Sequence, residues 1–128
     1  MTILLDTSVF LFALLEDSRL SRVAASHFRD PGNRLFLSMA SLWEIAIKTS
    51  LGKLQMPTPI DRYMSEELVY NRVEILDIKG HHVFLVAELP FHHRDPFDRM
   101  IAAQALTEDL PLVTADTIFQ RYGVRIIV

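Results

Sequence analysis

Short apolar runs alternate with helix-like segments along the whole chain, and no other feature constrains its fold as strongly. Most of these runs are apolar at successive positions, which is typical of strands buried on both faces of a parallel sheet. The alternation therefore predicts an α/β fold in which helices cover both faces of a parallel sheet. The predicted strands are residues 2–5, 35–37, 73–76, 111–114 and 124–128.

Capping residues and helix breakers mark the predicted helices between these strands. Ser8, Ser38, Asp95 and Asp116 are each placed to cap a helix start, and Pro96 fits the first turn of its helix. Seven helices are predicted. The first starts at Ser8, the second spans about 20–28, the third runs from Ser38 to a stop at Gly52, and the fourth opens at Thr58 and Pro59. The last three span 80–89, 97–106 and Asp116 to about Tyr122.

The chain length and composition fit one folded domain over residues 1–128. Half of the 128 residues are hydrophobic and 23% are charged, which suits a single buried core. The chain has no cysteine, which excludes disulfides, thiolate zinc sites and cysteine nucleophiles. The apolar run at 9–15 is too short for a membrane span, and no basic residue precedes Arg19 to mark a signal peptide, so a cytoplasmic protein is expected.

The net charge weighs at first against a nucleic-acid partner. The chain has 13 Lys and Arg residues against 16 Asp and Glu residues, and its net charge is −3. A protein that binds nucleic acid through its phosphates usually carries a basic excess. The positions of the acids decide whether this objection holds.

Five acids lie where a parallel α/β sheet binds its ligands. In such folds, ligands bind beyond the carboxyl ends of the strands, at the point where the strand order reverses. Asp6 follows the first predicted strand, and Asp116 follows the fourth. Asp95 and Asp98 open the helix before the fourth strand, and Glu44 lies in the helix after the second. We therefore expect five carboxylates to face one cleft.

Helix capping is the competing explanation for the four aspartates. Each lies near a predicted helix start, where a carboxylate accepts hydrogen bonds from free backbone N–H groups, and for any one of them alone capping is the stronger explanation. Glu44 differs, because apolar residues surround it in the sequence and Glu is rarely buried unless it is paired. Its competing explanation, which we rank second, is an i, i+4 ion pair with Lys48 that contributes only about 0.2–0.5 kcal/mol.

A divalent cation resolves the repulsion between carboxylates crowded into one cleft. Without a cation, mutual repulsion raises some of their pKa values. Oxygen ligands in the absence of cysteine favour Mg²⁺ or Mn²⁺ over Zn²⁺. Such an ion can polarise a phosphodiester and activate water, so carboxylates and metal suffice for hydrolysis without a separate nucleophile.

Four short motifs follow one another along the chain: Asp6 in 6–8, Glu44 in 42–46, Asp98 in 98–105, and Asp116 in 114–116 followed by Phe119. In their order and spacing they resemble the motifs of the PIN-domain nucleases, and within them the VapC-type toxins of bacterial toxin-antitoxin pairs. The resemblance spans nearly the whole chain. It implies a PIN-like three-layer α/β/α fold with a five-stranded parallel sheet, and a homodimeric endoribonuclease that uses Mg²⁺ or Mn²⁺. It also implies an RNA substrate and a cognate antitoxin whose segment occupies the active-site groove.

The same resemblance assigns roles to the acids. Asp6 and Asp98 are expected to be the most direct metal ligands. Glu44 and Asp116 would complete the site by orienting metal-bound water or holding a second ion. Asp95 fits the N-cap of its helix, and only Asp98 has the family's spacing to residues 101–103. The expected catalytic and metal-binding residues are thus Asp6, Glu44, Asp98 and Asp116.

Neighbouring polar residues are expected to support this site. Thr7, Ser8 and Thr114 place hydroxyl groups beside the acids, where they would hydrogen-bond a ligand carboxylate or water. Ordinary capping is the alternative for all three, and for Ser8 the two explanations are equal. Arg94 and Arg99 flank the acids and are candidates to meet the RNA backbone, since Arg binds phosphate bidentately. A solvated arginine at a helix start is an equally good explanation for each.

Two further features carry weaker signals. The histidine pairs 81–82 and 92–93 match no zinc module, and adjacent residues do not share a helix face, so surface or loop positions are expected. His93 is still a candidate for substrate contact. The run at 10–15 is apolar on nearly every side, which favours core packing and hints at partial cover by a partner.

Other functions that use acidic sites fit the sequence less well. A signalling receiver domain needs a phosphoacceptor aspartate after its middle strand and a lysine in a late loop, whereas Ser38 follows the second strand and no lysine follows Lys79. A phosphatase with an aspartyl nucleophile needs an acid where Ser8 stands. The main alternative is a non-catalytic PIN-like scaffold that binds RNA or protein, although all four family acids are present.

The assignment of four acids to a metal site changes the meaning of the net charge. Once divalent cation neutralises those four charges, −3 becomes +1. Affinity for RNA is therefore expected to depend on the metal, because the metal-free cleft repels a phosphate backbone.

Overall fold

Five parallel strands form one sheet in the computed structural model, which describes residues 1–128. The order in the sheet is β3-β2-β1-β4-β5, and every neighbouring pair is parallel. The predicted five-stranded parallel sheet is therefore confirmed, although its last two strands are shorter than the runs at 111–114 and 124–128. The strands are β1 (Thr2–Leu5), β2 (Arg34–Ser38), β3 (Val73–Leu76), β4 (Leu112–Val113) and β5 (Ile126–Ile127).

Six α-helices and one 3-10 helix connect the strands. Ser38, Asp95 and Asp116 cap their helices as predicted. None of the helices combines the length and the apolar character that a membrane crossing requires. The α-helices are α1 (Thr7–Leu14), α2 (Arg22–Arg29), α3 (Met39–Ser50), α4 (Ile60–Tyr70), α5 (Gly80–Val86) and α6 (Pro96–Thr107), and the 3-10 helix spans Thr117–Tyr122.

Three helix starts or ends differ from the sequence prediction. Asp6, not Ser8, caps α1, because β1 ends at Leu5 and the Asp6 carboxylate reaches the next backbone N–H. Helix α2 begins after Ser21, whose hydroxyl group accepts a hydrogen bond from the backbone N–H of Ala24. Helix α5 ends before residues 87–89, because this segment tightens into backbone hydrogen bonds three residues apart.

Alternate residues of β1 face two separate cores. Ile3 and Leu5 pack with Phe10 of α1 in one core, whereas Leu4 packs with Ile101 of α6 in the other. All five side chains are fully buried. Since successive side chains of a strand point to opposite faces of a sheet, helices cover both faces of this one. The predicted three-layer α/β/α architecture is therefore confirmed.

The apolar run at 10–15 divides between different environments. Phe10 is fully buried, Leu11 and Leu14 are partly buried against the core, and Leu15 is exposed. Core packing explains the first part of the run. Cover of its end by a partner stays a prediction.

The strand order reverses beside β1. The chain moves outward from β1 to β2 and β3, and it returns to the other side of β1 with β4 and β5. The carboxyl ends of β1 and β4 therefore flank the switch point at which parallel sheets bind ligands. Asp6 directly follows β1, Thr114 directly follows β4, and Asp116 lies two residues further along the chain.

Candidate metal centre

Five carboxylates line one open cleft of about 470 Å³ at this switch point. They come from the segments that follow β1 and β4 and from helices α3 and α6, so the predicted convergence of five acids is observed. Lys48 is the only cation that lines the cleft. The five acids are Asp6, Glu44, Asp95, Asp98 and Asp116.

Asp6 is held rigidly at the base of the cleft. Its side chain is buried, with 7% of the residue exposed. Oδ1 accepts a hydrogen bond from the backbone N–H of Thr7 at 2.8 Å, and Oδ2 accepts one from Oγ1 of Thr114 at 2.7 Å. The exposed Ser8 donates a longer bond to Oδ2, at 3.5 Å. Thr114 and Ser8 therefore both donate to Asp6, and their support of a metal site stays a prediction.

Burial and crowding raise the pKa values of two of the acids. For Asp6, burial is the largest cause, and the charge of Glu44 adds to it while hydrogen bonds oppose it. For Asp98, burial is again the largest cause, and together with the charges of Asp6 and Asp95 it raises the pKa to about 7. A cation bound between these carboxylates would lower both pKa values, because it offsets the repulsion.

Asp95 and Asp98 have different parts in α6. Oδ1 of Asp95 accepts hydrogen bonds from the backbone N–H groups of Phe97 at 2.8 Å and of Asp98 at 3.3 Å. Asp95 therefore caps the helix, and it also lines the cleft. Asp98 lies in the first turn, and its carboxylate accepts no hydrogen bond within the protein. Capping explains Asp95, whereas neither oxygen of Asp98 is used in a hydrogen bond within the protein.

Glu44 is buried, with 7% of the residue exposed, and it is only half paired. Nζ of Lys48 donates to Oε2 of Glu44 at 2.8 Å, so the ion pair that we ranked second is present. Oε1 is buried and has no hydrogen-bond partner. An unpartnered buried oxygen costs about 1–3 kcal/mol, and more when it is charged. A hard divalent cation in the cleft fits this oxygen and the neighbouring carboxylates, since Mg²⁺ and Mn²⁺ prefer oxygen ligands.

His93 lies between Asp98 and Asp116, two of the five acids of the cleft. Its Nε2 is 2.6 Å from Oδ2 of Asp116, and its Nδ1 is 3.6 Å from Oδ2 of Asp98. The other Asp116 oxygen accepts a hydrogen bond from the backbone N–H of Ile118 and so caps the 3-10 helix. From the sequence, His93 was expected at a surface or loop position and was a candidate for substrate contact, and its place beside the acids was missed. Its position two residues before Asp95 is the signal that was available.

A sequence profile of the PIN domain matches residues 3–125. The chain belongs to the PIN domain family. The match includes all four acidic motifs, so the resemblance predicted from those motifs is confirmed at the level of the family. No curated protein matches the chain by sequence comparison.

Solved structures share the fold of this PIN domain. One is VapBC2 from Rickettsia felis, in a structure with a bound DNA fragment from the VapBC2 promoter. It has a TM-score of 0.71 and 20% identity over 99% of this chain and 98% of the other. VapBC-1 from nontypeable Haemophilus influenzae has a TM-score of 0.68 and 22% identity over 99% and 97%. A toxin-antitoxin complex from Klebsiella pneumoniae has a TM-score of 0.66 and 16% identity over 98% and 96%.

Two residues that were expected to support the PIN domain's site have other partners. Arg99 is only 5% exposed, and its guanidinium group donates to three backbone carbonyl groups within residues 86–90, at 2.8–3.1 Å. The expectation that Arg99 meets the RNA backbone is therefore wrong, because its donors are used inside the protein. The Thr7 hydroxyl donates to Oγ of Ser41 at 2.8 Å and links α1 to α3. Arg94 is exposed and stays a candidate for phosphate contact.

The expectation of a surface position is wrong for His82, which is fully buried at the start of α5. Its Nδ1 accepts a hydrogen bond from the backbone N–H of Lys79 at 2.9 Å, so Nε2 carries the ring hydrogen and donates to Oε1 of Glu108 at 2.8 Å. The exposed His81 lies 3.4 Å from the same oxygen. Because both nitrogens of His82 are used, this group fastens α5 to the end of α6 and is not free to bind a metal.

Proposed function

We propose that this PIN domain is a metal-dependent endoribonuclease and acts as the toxin of a toxin-antitoxin pair. The observation that carries the proposal is the cleft at the switch point, where five carboxylates surround a buried and unpartnered oxygen of Glu44. A compensating cation stabilises such a cluster, and carboxylate-held divalent ions serve phosphodiester hydrolysis in many nucleases. Membership of the PIN domain family supports the same function.

Four oxygen donors would hold Mg²⁺ or Mn²⁺ in this proposal. Asp6 and Asp98 are the most direct ligands, and Glu44 and Asp116 complete the site. When bound, the ion supplies Lewis acidity toward a phosphodiester and a charge that offsets the carboxylates. Asp95 contributes negative charge from the helix cap.

The chain's own residues hold these donors in place before any substrate arrives. The Thr7 N–H group and the Thr114 hydroxyl group orient the two Asp6 oxygens. His93 orients one oxygen of Asp116. Preorganised ligands lower the cost of binding, because no side-chain rotamer has to be frozen when the ion enters.

The proposal also includes a cognate antitoxin and a homodimer. Complexes named VapBC and a toxin-antitoxin complex are among the proteins that share this fold. In the proposed complex, a segment of the antitoxin occupies the acidic cleft and excludes RNA from it.

Substitution of the two most direct ligands tests the nuclease proposal. We expect Asp6→Asn and Asp98→Asn each to lower Mg²⁺- or Mn²⁺-dependent cleavage of RNA at least about a hundredfold, because several kcal/mol of charge stabilisation depends on the ion. Asp61→Asn is the matched control, since Asp61 is an exposed acid in the first turn of α4. Circular dichroism checks that each variant is folded. If both ligand variants cut RNA as well as the wild type, the nuclease site lies elsewhere.

Expression in a growing bacterium tests the toxin proposal. The chain should arrest growth when it is expressed alone, and coexpression of the neighbouring gene should restore growth. Asp98→Asn should be harmless in both cases. Arrest that persists in Asp98→Asn, or that the neighbouring gene does not relieve, would contradict this part of the proposal.

A further inference from the structure

Lys48 is the one positively charged side chain in a cleft lined by five carboxylates. Its Nζ donates to Oε2 of Glu44 at 2.8 Å, one helical turn earlier in α3. The Lys48 side chain is 49% exposed, whereas the Glu44 side chain is 9% exposed. The pair therefore joins a buried carboxylate to an ammonium group that still reaches the solvent.

This ammonium group is charged at neutral pH and is easily redirected. Its hydrogen bond with Glu44 raises the pKa of Lys48 above its usual value, and the charges of Asp95 and Asp98 add to the effect. Water can solvate the half-exposed ammonium group when it leaves Glu44. A lysine stem is flexible, and its ammonium group donates in several directions. Exchange of Glu44 for another anion is therefore favourable when a cation takes over the compensation of the buried Glu44 carboxylate.

An RNA backbone that enters the cleft meets strong repulsion. Its phosphates carry the same sign of charge as the five acids, and a bound divalent ion offsets only part of that charge. Lys48 is the only positively charged side chain in the lining that attracts a phosphate oxygen. Glu44, once released by Lys48, has two oxygens available for the cation instead of one.

On the basis of the proposed function, we propose that Lys48 is the phosphate-binding residue of the cleft. Its ammonium group leaves Glu44 when substrate binds and donates to a non-bridging phosphate oxygen of the RNA backbone, while Glu44 turns to the divalent cation. Lys48 thus serves as the resident counter-ion of the empty cleft and as a substrate contact in the occupied one.

If Lys48 exchanges Glu44 for phosphate, removal of its charge should change the affinities for metal and for RNA in opposite directions. Lys48→Met keeps most of the stem but loses the competitor for Glu44, so Mn²⁺ should bind severalfold more tightly. The same variant loses a charge-assisted contact with phosphate, so single-stranded RNA should bind about tenfold more weakly. If Lys48 only orients Glu44, its loss should weaken Mn²⁺ binding and leave the salt dependence of RNA binding unchanged.

Two titrations test the proposal on the full chain. Calorimetry measures the affinity for Mn²⁺ alone. Fluorescence anisotropy measures the affinity for a labelled single-stranded RNA in Ca²⁺, between about 50 and 200 mM salt, with a gel to check that the RNA stays intact. For Lys48→Met, the slope of log K against log salt should be smaller in magnitude by about 0.7, the amount expected for one lost phosphate contact on a single strand.

Two variants control for charge and for position. Lys48→Arg keeps the positive charge and should retain most of the wild-type salt slope. Lys53→Met removes an exposed lysine that does not line the cleft and should change neither affinity. Thermal unfolding checks that Lys48→Met is folded before its affinities are compared.

Each outcome of these titrations decides the proposal. Tighter Mn²⁺ binding together with a smaller salt slope in Lys48→Met supports it, and an unchanged slope or weaker Mn²⁺ binding overturns it. If the wild type binds Mn²⁺ and RNA but does not cleave RNA, the nuclease proposal fails, while the two affinities still decide the role of Lys48. If the wild type does not bind single-stranded RNA, the Lys48 proposal fails, whereas the cleavage assay still decides the nuclease proposal.

Discussion

Thr114 and Asp6 lie 108 residues apart in the chain, and one hydrogen bond of 2.7 Å from Oγ1 to Oδ2 joins them across the switch point of the sheet. The same threonine oxygen accepts a hydrogen bond of 3.0 Å from the backbone N–H of Asp116. A single hydroxyl group therefore binds the side chain of one acid and the backbone of another. It sets the positions of the two acids that follow β1 and β4.

Loss of this hydroxyl group should affect both stability and chemistry. We expect Thr114→Val to lower the free energy of unfolding by about 1.5–3 kcal/mol, the usual range for a hydrogen bond to a charged group, as measured by urea denaturation. RNA cleavage should also fall, because Asp6 loses the donor that orients Oδ2. Thr107→Val is the matched control at an exposed position near the end of α6. Equal losses of stability in the two variants would argue against a special role for Thr114.

The metal-free protein should lose stability as the pH rises. Burial and neighbouring charges raise the pKa values of Asp6 and of Asp98, the latter to about 7. Between about pH 4 and pH 7, the folded state therefore keeps protons that the unfolded state has lost, and the free energy of unfolding falls with rising pH. Urea denaturation in EDTA should show a lower midpoint at about pH 8 than at about pH 5.5.

Bound Mn²⁺ and the substitution Asp98→Asn should each reduce the loss of stability at higher pH. Mn²⁺ should recover most of the stability at the higher pH, since it compensates the ionised carboxylates. Asp98→Asn should flatten the metal-free pH profile, whereas Asp61→Asn should leave it unchanged. A metal-free stability that rises over the same pH range would contradict the crowding of these carboxylates.

Substitution of His93 should change metal affinity through Asp116. In the wild type, the ring centroids of His93 and Phe119 are 5.3 Å apart. His93→Phe keeps an aromatic ring there but removes the 2.6 Å contact between Nε2 of His93 and Oδ2 of Asp116. We expect Mn²⁺ affinity to fall about 10–100-fold, the usual effect of losing a residue that orients a metal ligand. His93→Gln offers an N–H donor and should recover part of the affinity. If Phe and Gln have the same effect in calorimetry, His93 does not orient Asp116 through a hydrogen bond.

Arg99 should matter for folding, and Arg94 should not. Arg99→Met leaves three backbone carbonyl groups without their donor, that of Leu89 in a buried position, so we expect the free energy of unfolding to fall by about 3 kcal/mol. Arg99→Lys should be intermediate, because an ammonium group lacks the planar fork of donors. Arg94→Ala is the exposed control and should leave the unfolding midpoint unchanged. A stable Arg99→Met variant would show that the segment at 86–90 does not depend on this side chain.

Local sequence signals were sufficient for the sheet and for the caps of α3, α6 and the 3-10 helix. Ser38, Asp95 and Asp116 each act on backbone groups within three residues, so their roles are visible in the sequence alone. Convergence of the acids was also predictable, because the carboxyl ends of parallel strands meet at one edge of a sheet. The cap of α1 was misplaced by two residues, because the helix begins directly after β1 and leaves Ser8 inside its first turn.

Only the tertiary structure decided which side chains meet when they lie far apart in the sequence. In the sequence, Arg99 is one of two arginines that flank the acids. In the structure, the segment at 86–90 packs against α6 and buries the Arg99 side chain. His82 and Glu108 are 26 residues apart, and His93 and Asp116 are 23 apart. The physical reason is the range of the forces involved. Helix periodicity and capping act within a few residues, whereas the partner of a side chain across the fold depends on how whole helices pack on the sheet.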